Sequence, residues 1–361
     1  DDDDSDNCTS IIRPLSIDKY GFIMTPEIEE KYNQLTPLER RKIQEKESTR
    51  TKKWSKMLKE WDKTITHKES KLKSRIRKGI PDIVRGEVWK RLAGVENIKI
   101  TYPNVYHLTP IDSSLIPENT YRQIECDLDR TFPRHDFFVT CNGAGQASLR
   151  RILHLYALYD PEVGYCSGMG FVAGTFVIYM VEEDALYALI SIMHRPSFPL
   201  RDMYKPGMPG TKYVLSVFIH LLHHYLPAVA THLEKEGITP HMYVTEWFMT
   251  LYTSTFPFEL VTNIFDILWY EGWKIIYRVA LGLLKYSESV ILASNFEEII
   301  LHIRALPQQI NCQKLWKIIW DIPLKRQVIE NYGQRHLSEL HSTHPERHED
   351  TITTTLDTVI T

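Results

Sequence analysis

Arg130, in the stretch IECDLDRTFP at residues 124–133, is the residue whose type and spacing point most directly to chemistry. Ile124 and Leu128 are four apart and share a helical face. Asp127 lies three before Arg130, a spacing at which a carboxylate steadies a guanidinium. Pro133 biases Phe132 away from helical angles, so the spacing predicts a helix that ends about one turn after Arg130 and presents the guanidinium at a terminus. Taken alone, such a cation is better explained by the negative end of the helix dipole.

Three further groups carry chemistry-bearing residues. In RIRKGIPDIVRGEVWKRLAG, residues 75–94, Arg85 and Trp89 are four apart. The guanidinium can stack on the indole or pair with a carboxylate such as Asp127, and both residues read as structural. Ser167 in GYCSGM invites a nucleophile-elbow reading. That turn needs glycine on both sides at 165 and 169, where Tyr165 and Met169 stand, so hydrolase chemistry is set aside. His220 and His224 at i and i+4 could chelate zinc, but no third acidic or thiol ligand is evident nearby; they read as ordinary histidines and no metal is expected.

The elements that must position these residues are helical. The 361 residues are 43% hydrophobic and 11% aromatic, enough for a large core in one extended unit or two packed subdomains. No period-two strand pattern is sustained, which predicts a nearly all-α chain. Net charge is −3 and the sequence pI about 6.6, so nothing global argues for nucleic acid. Between residues 40 and 78, however, sixteen Lys and Arg stand against five Asp and Glu, a local excess of +11 that leaves −14 elsewhere. Cys8, Cys126, Cys141, Cys166 and Cys312 form no CxxC pair and suggest reduced thiols in a cytoplasmic protein. No signal peptide opens the chain, and the longest apolar run, residues 170–181, is too short to span a bilayer. Five Asp among the first six residues, no initiator Met and a Thr-rich close suggest a fragment or processed chain with two loose ends.

In chain order, residues 16–25 (SIDKYGFIMT) should dock on the body through Tyr20 and Phe22. Thr36, Pro37 and Glu39 form a capping-box signal for a charged helix, on which Trp54, Met57, Leu58 and Trp61 make one apolar stripe. Its basic face is either a solvated surface or a contact for an acidic partner or anionic membrane. Gly79 and Pro81 break the next helix, and Asp82 is positioned to cap another bearing Val84, Val88 and Leu92. Residues 142–159 read as a loop entering a helix that buries Leu149, Ile152, Leu153 and Tyr156. Glycines 164, 168, 170 and 174 then demand sharp bends or close approach. Residues 195–210, with four prolines, look like a long connector. Apolar helices fill 240–306, a weaker helix covers 315–320, and 341–361 should be mobile.

Together, R-x-x-x-W at Arg85 and Trp89, I-x-x-D-x-x-R at Ile124, Asp127 and Arg130, and YCSGM at Tyr165, Ser167, Gly168 and Met169 resemble the TBC-domain family of Rab GTPase-activating proteins. PEVGYC, PGMPG, EWFMTLYTSTFPFELV and FDILWYEG extend the likeness from about 78 to 285. The resemblance implies two packed helical subdomains, here 76–195 and 196–325. Around them lie an acidic segment (1–35), a basic helical extension (36–75) and a C-terminal helix end with a mobile tail (326–361). It implies a groove for a GTP-bound Rab-family GTPase that carries its own Mg-GTP, so the chain needs no cofactor of its own. It also implies a cytoplasmic protein recruited to endomembranes. Arg130 would be an arginine finger, worth about 10³ to 10⁵ in rate. The family pattern is Y-x-Q-G-M, with a glutamine that aligns the attacking water; Ser167 stands there, too short to hold water in the same way. The expectation is therefore a Rab activator working through Arg130, with a catalytically impaired Rab-binding adaptor as the alternative, and with Ser167 either native or introduced.

Overall fold

At Thr36 the helix-start signal is realised as a reciprocal pair. The Glu39 N–H donates to Thr36 Oγ1 at 3.2 Å and the Thr36 N–H donates to the Glu39 carboxylate at 2.8 Å, opening the helix Pro37–Lys59. Trp54 and Met57 on it are buried, while Leu58 and Trp61 are half-buried. The stripe crosses a helix break at Glu60, because Trp61 begins the next helix, Trp61–His67. This apolar edge packs on the helix Asp82–Ala93.

The computed structural model describes residues 16–107, 113–196 and 198–343; the acidic opening and the Thr-rich close of the chain lie outside them. Among the described residues the fold is all-α. Twenty α-helices and two 3₁₀ turns are joined without any strand beyond the isolated bridges Ile17–Ile23 and Phe22–His135. No single described helix is long and apolar enough to cross a membrane.

The helices Ala144–Tyr159, Met169–Tyr179 and Glu182–His194 pack on one another, and Glu118–Leu128 lies against the first two. The expected Leu149, Ile152, Leu153 and Tyr156 are all fully buried there. The helix Phe258–Glu271 touches Glu69–Arg77 and Asp82–Ala93 as well as Lys274–Tyr286, so it ties the early and late parts of the chain together. One hydrophobic core runs from Trp54 to Leu324.

Two expectations are corrected. Residues 195–210 are not a plain connector, since the helix Leu200–Tyr204 lies within them and buries Leu200, Met203 and Tyr204 at i, i+3 and i+4. Burial of Leu and Met side chains at roughly 1.5–3 kcal/mol each outweighs the flanking prolines. At the other end, the helix Arg326–Thr343 includes the first residues of the stretch expected to be mobile, and it packs on Pro209–Tyr225. His220 and His224 serve that contact, and His223 reaches the helix Pro227–Lys235 instead. The His220 ring stacks on Tyr332 with centroids 5.1 Å apart, the Tyr332 hydroxyl lies 3.2 Å from His224 Nδ1, and His223 pairs with Glu234 at 2.7 Å.

Candidate functional site

The helix Glu118–Leu128 ends two residues before Arg130, not a turn after it. Thr131 turns the chain, its hydroxyl donating to the Asp127 carbonyl at 2.6 Å and its N–H to the Leu128 carbonyl at 3.2 Å. Pro133 does exclude helical angles at Phe132, but the residue takes the left-handed region (φ +52°) instead of extended backbone. Packing makes that choice. The Phe132 ring is buried among Phe22, Phe138, Phe171 and Phe258, with centroids 5.6 to 5.9 Å away. Arg130 is thus presented just beyond a helix, with 55% of its side chain exposed.

From the other side the glycine-rich stretch closes on this turn. Gly168 (φ +107°) begins the helix Met169–Tyr179, whose Gly170 and Gly174 face the turn. A Cβ at Gly170 would sit 3.0 Å from Thr131 Oγ1, and one at Gly174 3.1 Å from the Phe132 ring, so side chains there would push the turn away. Four residues meet as a result. Arg130 Nη2 is 2.6 Å from Asp127 Oδ1 and donates to Ser167 Oγ; the Tyr165 hydroxyl donates to Asp127 Oδ2 at 2.7 Å. Ile124 anchors the helix fully buried in the core, and Met169, equally buried, accepts the Cys166 N–H on its sulfur at 3.2 Å.

The electrostatics follow from this geometry. The Asp127 carboxylate holds the Arg130 guanidinium above its ordinary range. Burial, then the Asp127 carboxylate, raises the Tyr165 phenol well above its usual value, so it is a fixed donor. Burial pushes the Cys166 thiol up to about 11, which leaves it protonated. Ser167 is held by a guanidinium, which cannot take its proton, so this is not an activated nucleophile.

Arg85 belongs to a different site and its partner was not Asp127, which is committed to Arg130 and Tyr165. Its Nε donates to Asp266 Oδ1 at 3.2 Å, while Trp89 Nε1–H and the Ile80 N–H donate to the same carboxylate at 2.7 and 2.6 Å. The guanidinium also donates to the Ile80 carbonyl, and it lies 5.2 Å from the Tyr179 ring centroid instead of stacking on Trp89. Asp82 caps nothing; its carboxylate accepts from Arg85 and from the Tyr179 hydroxyl, and Pro81 is the N-cap. Asp266 was missed by sequence reasoning. Its signal was a single carboxylate inside the apolar run VTNIFDILW, a pattern that calls for a buried partner.

Fold and site together define an all-helical domain that presents a braced arginine at its surface. Residues 82–292 match the model of the Rab-GTPase-TBC domain, more than half of the chain. This chain belongs to that family. Mouse TBC1 domain family member 4 is 36% identical over 73% of this chain and 21% of its own length. The Rab GTPase-activating protein tbc-11 of Caenorhabditis elegans is 35% identical over 71% of this chain and 27% of its own. The chain therefore spans between a fifth and three tenths of these two relatives. Mouse TBC1 domain family member 10A, 32% identical, aligns with 90% of this chain and 63% of itself. Among solved structures, the Chlamydomonas flagellar RabGAP TBC domain is similar with a TM-score of 0.63 and 25% identity, over 85% of this chain and all of that one. The Ypt/Rab-GAP domain of Gyp1p shares the fold at TM-score 0.59 and 19% identity, over 78% of this chain and 98% of that one.

Proposed function

We propose that this chain is a GTPase-activating module that supplies Arg130 in trans to a GTP-bound Rab-type small GTPase. The observation that carries the reading is the way Arg130 is held. Its shortest approach to Asp127 and its hydrogen bond to Ser167 are both made at Nη2, while more than half of the side chain is exposed. A guanidinium has five N–H donors in a planar fork, so the group is braced at one nitrogen with the rest of the fork available to an incoming anion. Mg-GTP would be carried by the partner. The fork would neutralise charge developing between its β- and γ-phosphates, and the Asp127–Tyr165 pair would spare Arg130 any reorganisation as it does so. Arg130→Lys tests the reading. The expected result is loss of most single-turnover GTP hydrolysis across a Rab panel, with Rab affinity and the helical circular dichroism signal kept, because lysine retains charge but not the fork. Equal rates for variant and parent would end the reading; an unfolded variant would make Arg130 structural.

The impaired-adaptor alternative rests on Ser167. Its hydroxyl accepts from Arg130, so it serves the cation and leaves water to another group, either the GTPase's own glutamine or none. A peripheral role for residues 40–78 is supported by a cleft of about 730 Å³ lined by Lys42, Lys46, Arg50, Lys53, Arg75 and Lys78, with Glu45 its one carboxylate. Anionic lipid headgroups fit that balance of charge.

A further inference from the structure

Residues 16–24 form a hook that grips the Arg130 turn, on which Gly170 and Gly174 also close. Asp18 closes the hook on itself. Its carboxylate accepts the Tyr20 and Phe22 N–H groups at 2.8 and 2.9 Å, and its own N–H donates to the Phe22 carbonyl at 2.8 Å. Four hydrogen bonds tie the hook to the segment just after Arg130, three of them outside the His135 ring. The Ile23 N–H donates to the Arg134 carbonyl and the Asp136 N–H to the Gly21 carbonyl, both at 2.8 Å, and Arg134 Nη2 donates to the Ile23 carbonyl at 2.9 Å.

His135 is the latch. Its Nδ1 accepts the Phe137 N–H at 3.1 Å, so the ring proton must sit on Nε2, which lies 2.9 Å from the Tyr20 carbonyl and donates to it. Gly21 leaves room for the ring: a Cβ there would lie 2.7 Å from Nε2, at a φ of +92°. Phe22 inserts between His135, Phe132 and Phe258 with centroids 4.8, 5.8 and 5.0 Å away.

Phe132 is a bulky residue in left-handed backbone two positions after Arg130, a conformation that persists only where its surroundings over-determine it. The glycine helix supplies one wall and the hook the other. We propose that the 16–24 hook is a positioning element for Arg130, acting through Phe22 and His135 on the Phe132 turn. The inference rests on the reading of Arg130 as the group presented to the GTPase. Neither Phe22 nor His135 touches the phosphates in this account. They hold the turn that aims the guanidinium, so their loss lowers the rate at saturation and not the affinity.

The test is Phe22→Ala in the full chain, with Phe22→Leu as the conservative variant. Each is assayed for single-turnover hydrolysis on an active Rab, for affinity toward the same Rab loaded with a non-hydrolysable GTP analogue, and for amide hydrogen exchange. The expected result for Phe22→Ala is a saturating rate lowered about tenfold or more, affinity within about twofold of the parent, and exchange raised across 131–139 but not in Lys274–Tyr286. Phe22→Leu should recover most of the rate. A parent-like rate with raised exchange in 131–139 would overturn the positioning role and leave the arginine reading standing. A lowered rate with unchanged exchange would also overturn it, since the turn would not have loosened. A parent inactive on every Rab would remove the arginine reading itself, and the hook's role with it.

Discussion

Removing Arg85 should unfold this protein sooner and should do so in a pH-dependent way. Arg85 is 4% exposed and Asp266 0%, and the pair is supplemented by the Ile80 amide and the Trp89 indole. In Arg85→Ala the carboxylate stays buried with its neutral donors but without its countercharge. Breaking a buried pair by deleting one partner costs about 3–5 kcal/mol. At about 2 °C per kcal/mol for a chain of this size, the melting temperature should fall by roughly 6–10 °C at neutral pH. Burial already raises the Asp266 carboxyl above its ordinary value, against the opposing pull of Arg85, and deleting Arg85 raises it further. The native state then keeps a proton that the unfolded chain has released, in the window from the unfolded value of about 3.9 up to the raised folded one. Stability of the variant falls as pH rises through that window, so its deficit relative to the parent should be largest at neutral pH and shrink toward pH 4. Thermal melts of both proteins across a pH series, followed by circular dichroism, read this directly. Combining Arg85→Met with Asp266→Asn should recover part of the loss, because no unpaired charge is left in the core; Asp82 also loses Arg85, but its side chain is 29% exposed and keeps the Tyr179 hydroxyl as a donor. An unchanged melting temperature at neutral pH together with lost GTPase activation would refute the reasoning and move Arg85 into the GTPase contact.

Ser167→Gln should raise the rate constant for GTP hydrolysis by tenfold or more, about 1.4 kcal/mol or more off the barrier, with little change in Rab affinity. On a Rab whose own switch glutamine is replaced by leucine, the parent should be nearly inactive and the variant active; a parent fully active there would mean that a third group positions water. For the basic cleft, co-sedimentation should show binding to phosphatidylserine-containing vesicles but not to neutral ones, lost at high salt. Equal pelleting with both would remove the membrane reading.

What could be read from the sequence was what local spacing decides. The Thr36–Glu39 box, the Asp127–Arg130 pair and the buried face of Ala144–Tyr159 all involve residues within one helical turn or two, and each forms as its spacing requires. Residues 195–210 misled because four prolines masked the helical i, i+3, i+4 apolar spacing of Leu200, Met203 and Tyr204. Arg85 shows the other limit. It pairs locally with Asp82, but its fully buried carboxylate is 181 positions away, and nothing local separates Asp127 from Asp266 as that partner. The backbone at Phe132 was half legible: proline forbids one region, but four aromatic rings, three of them from distant segments, choose between the two that remain.

That division also bears on how the site could lose one component without the other. Arg130 depends on Asp127 one turn back, on the Phe132 turn, and on glycines whose lack of a Cβ lets the Met169–Tyr179 helix approach. None of these requires a particular side chain at 167. Conversely, Ser167 is exposed on a loop whose path is set by Gly168 and by Tyr165 bonded to Asp127, and both persist whatever residue stands between them. On the proposed reading, charge and water are thus served by supports that share the Asp127 carboxylate and meet where Arg130 donates to Ser167 Oγ. A change at 167 should therefore alter hydrolysis and remove one acceptor of Arg130 while the Asp127 pair keeps the arginine in place, whereas a change at Asp127 should disturb both at once, releasing Arg130 and the Tyr165 hydroxyl together.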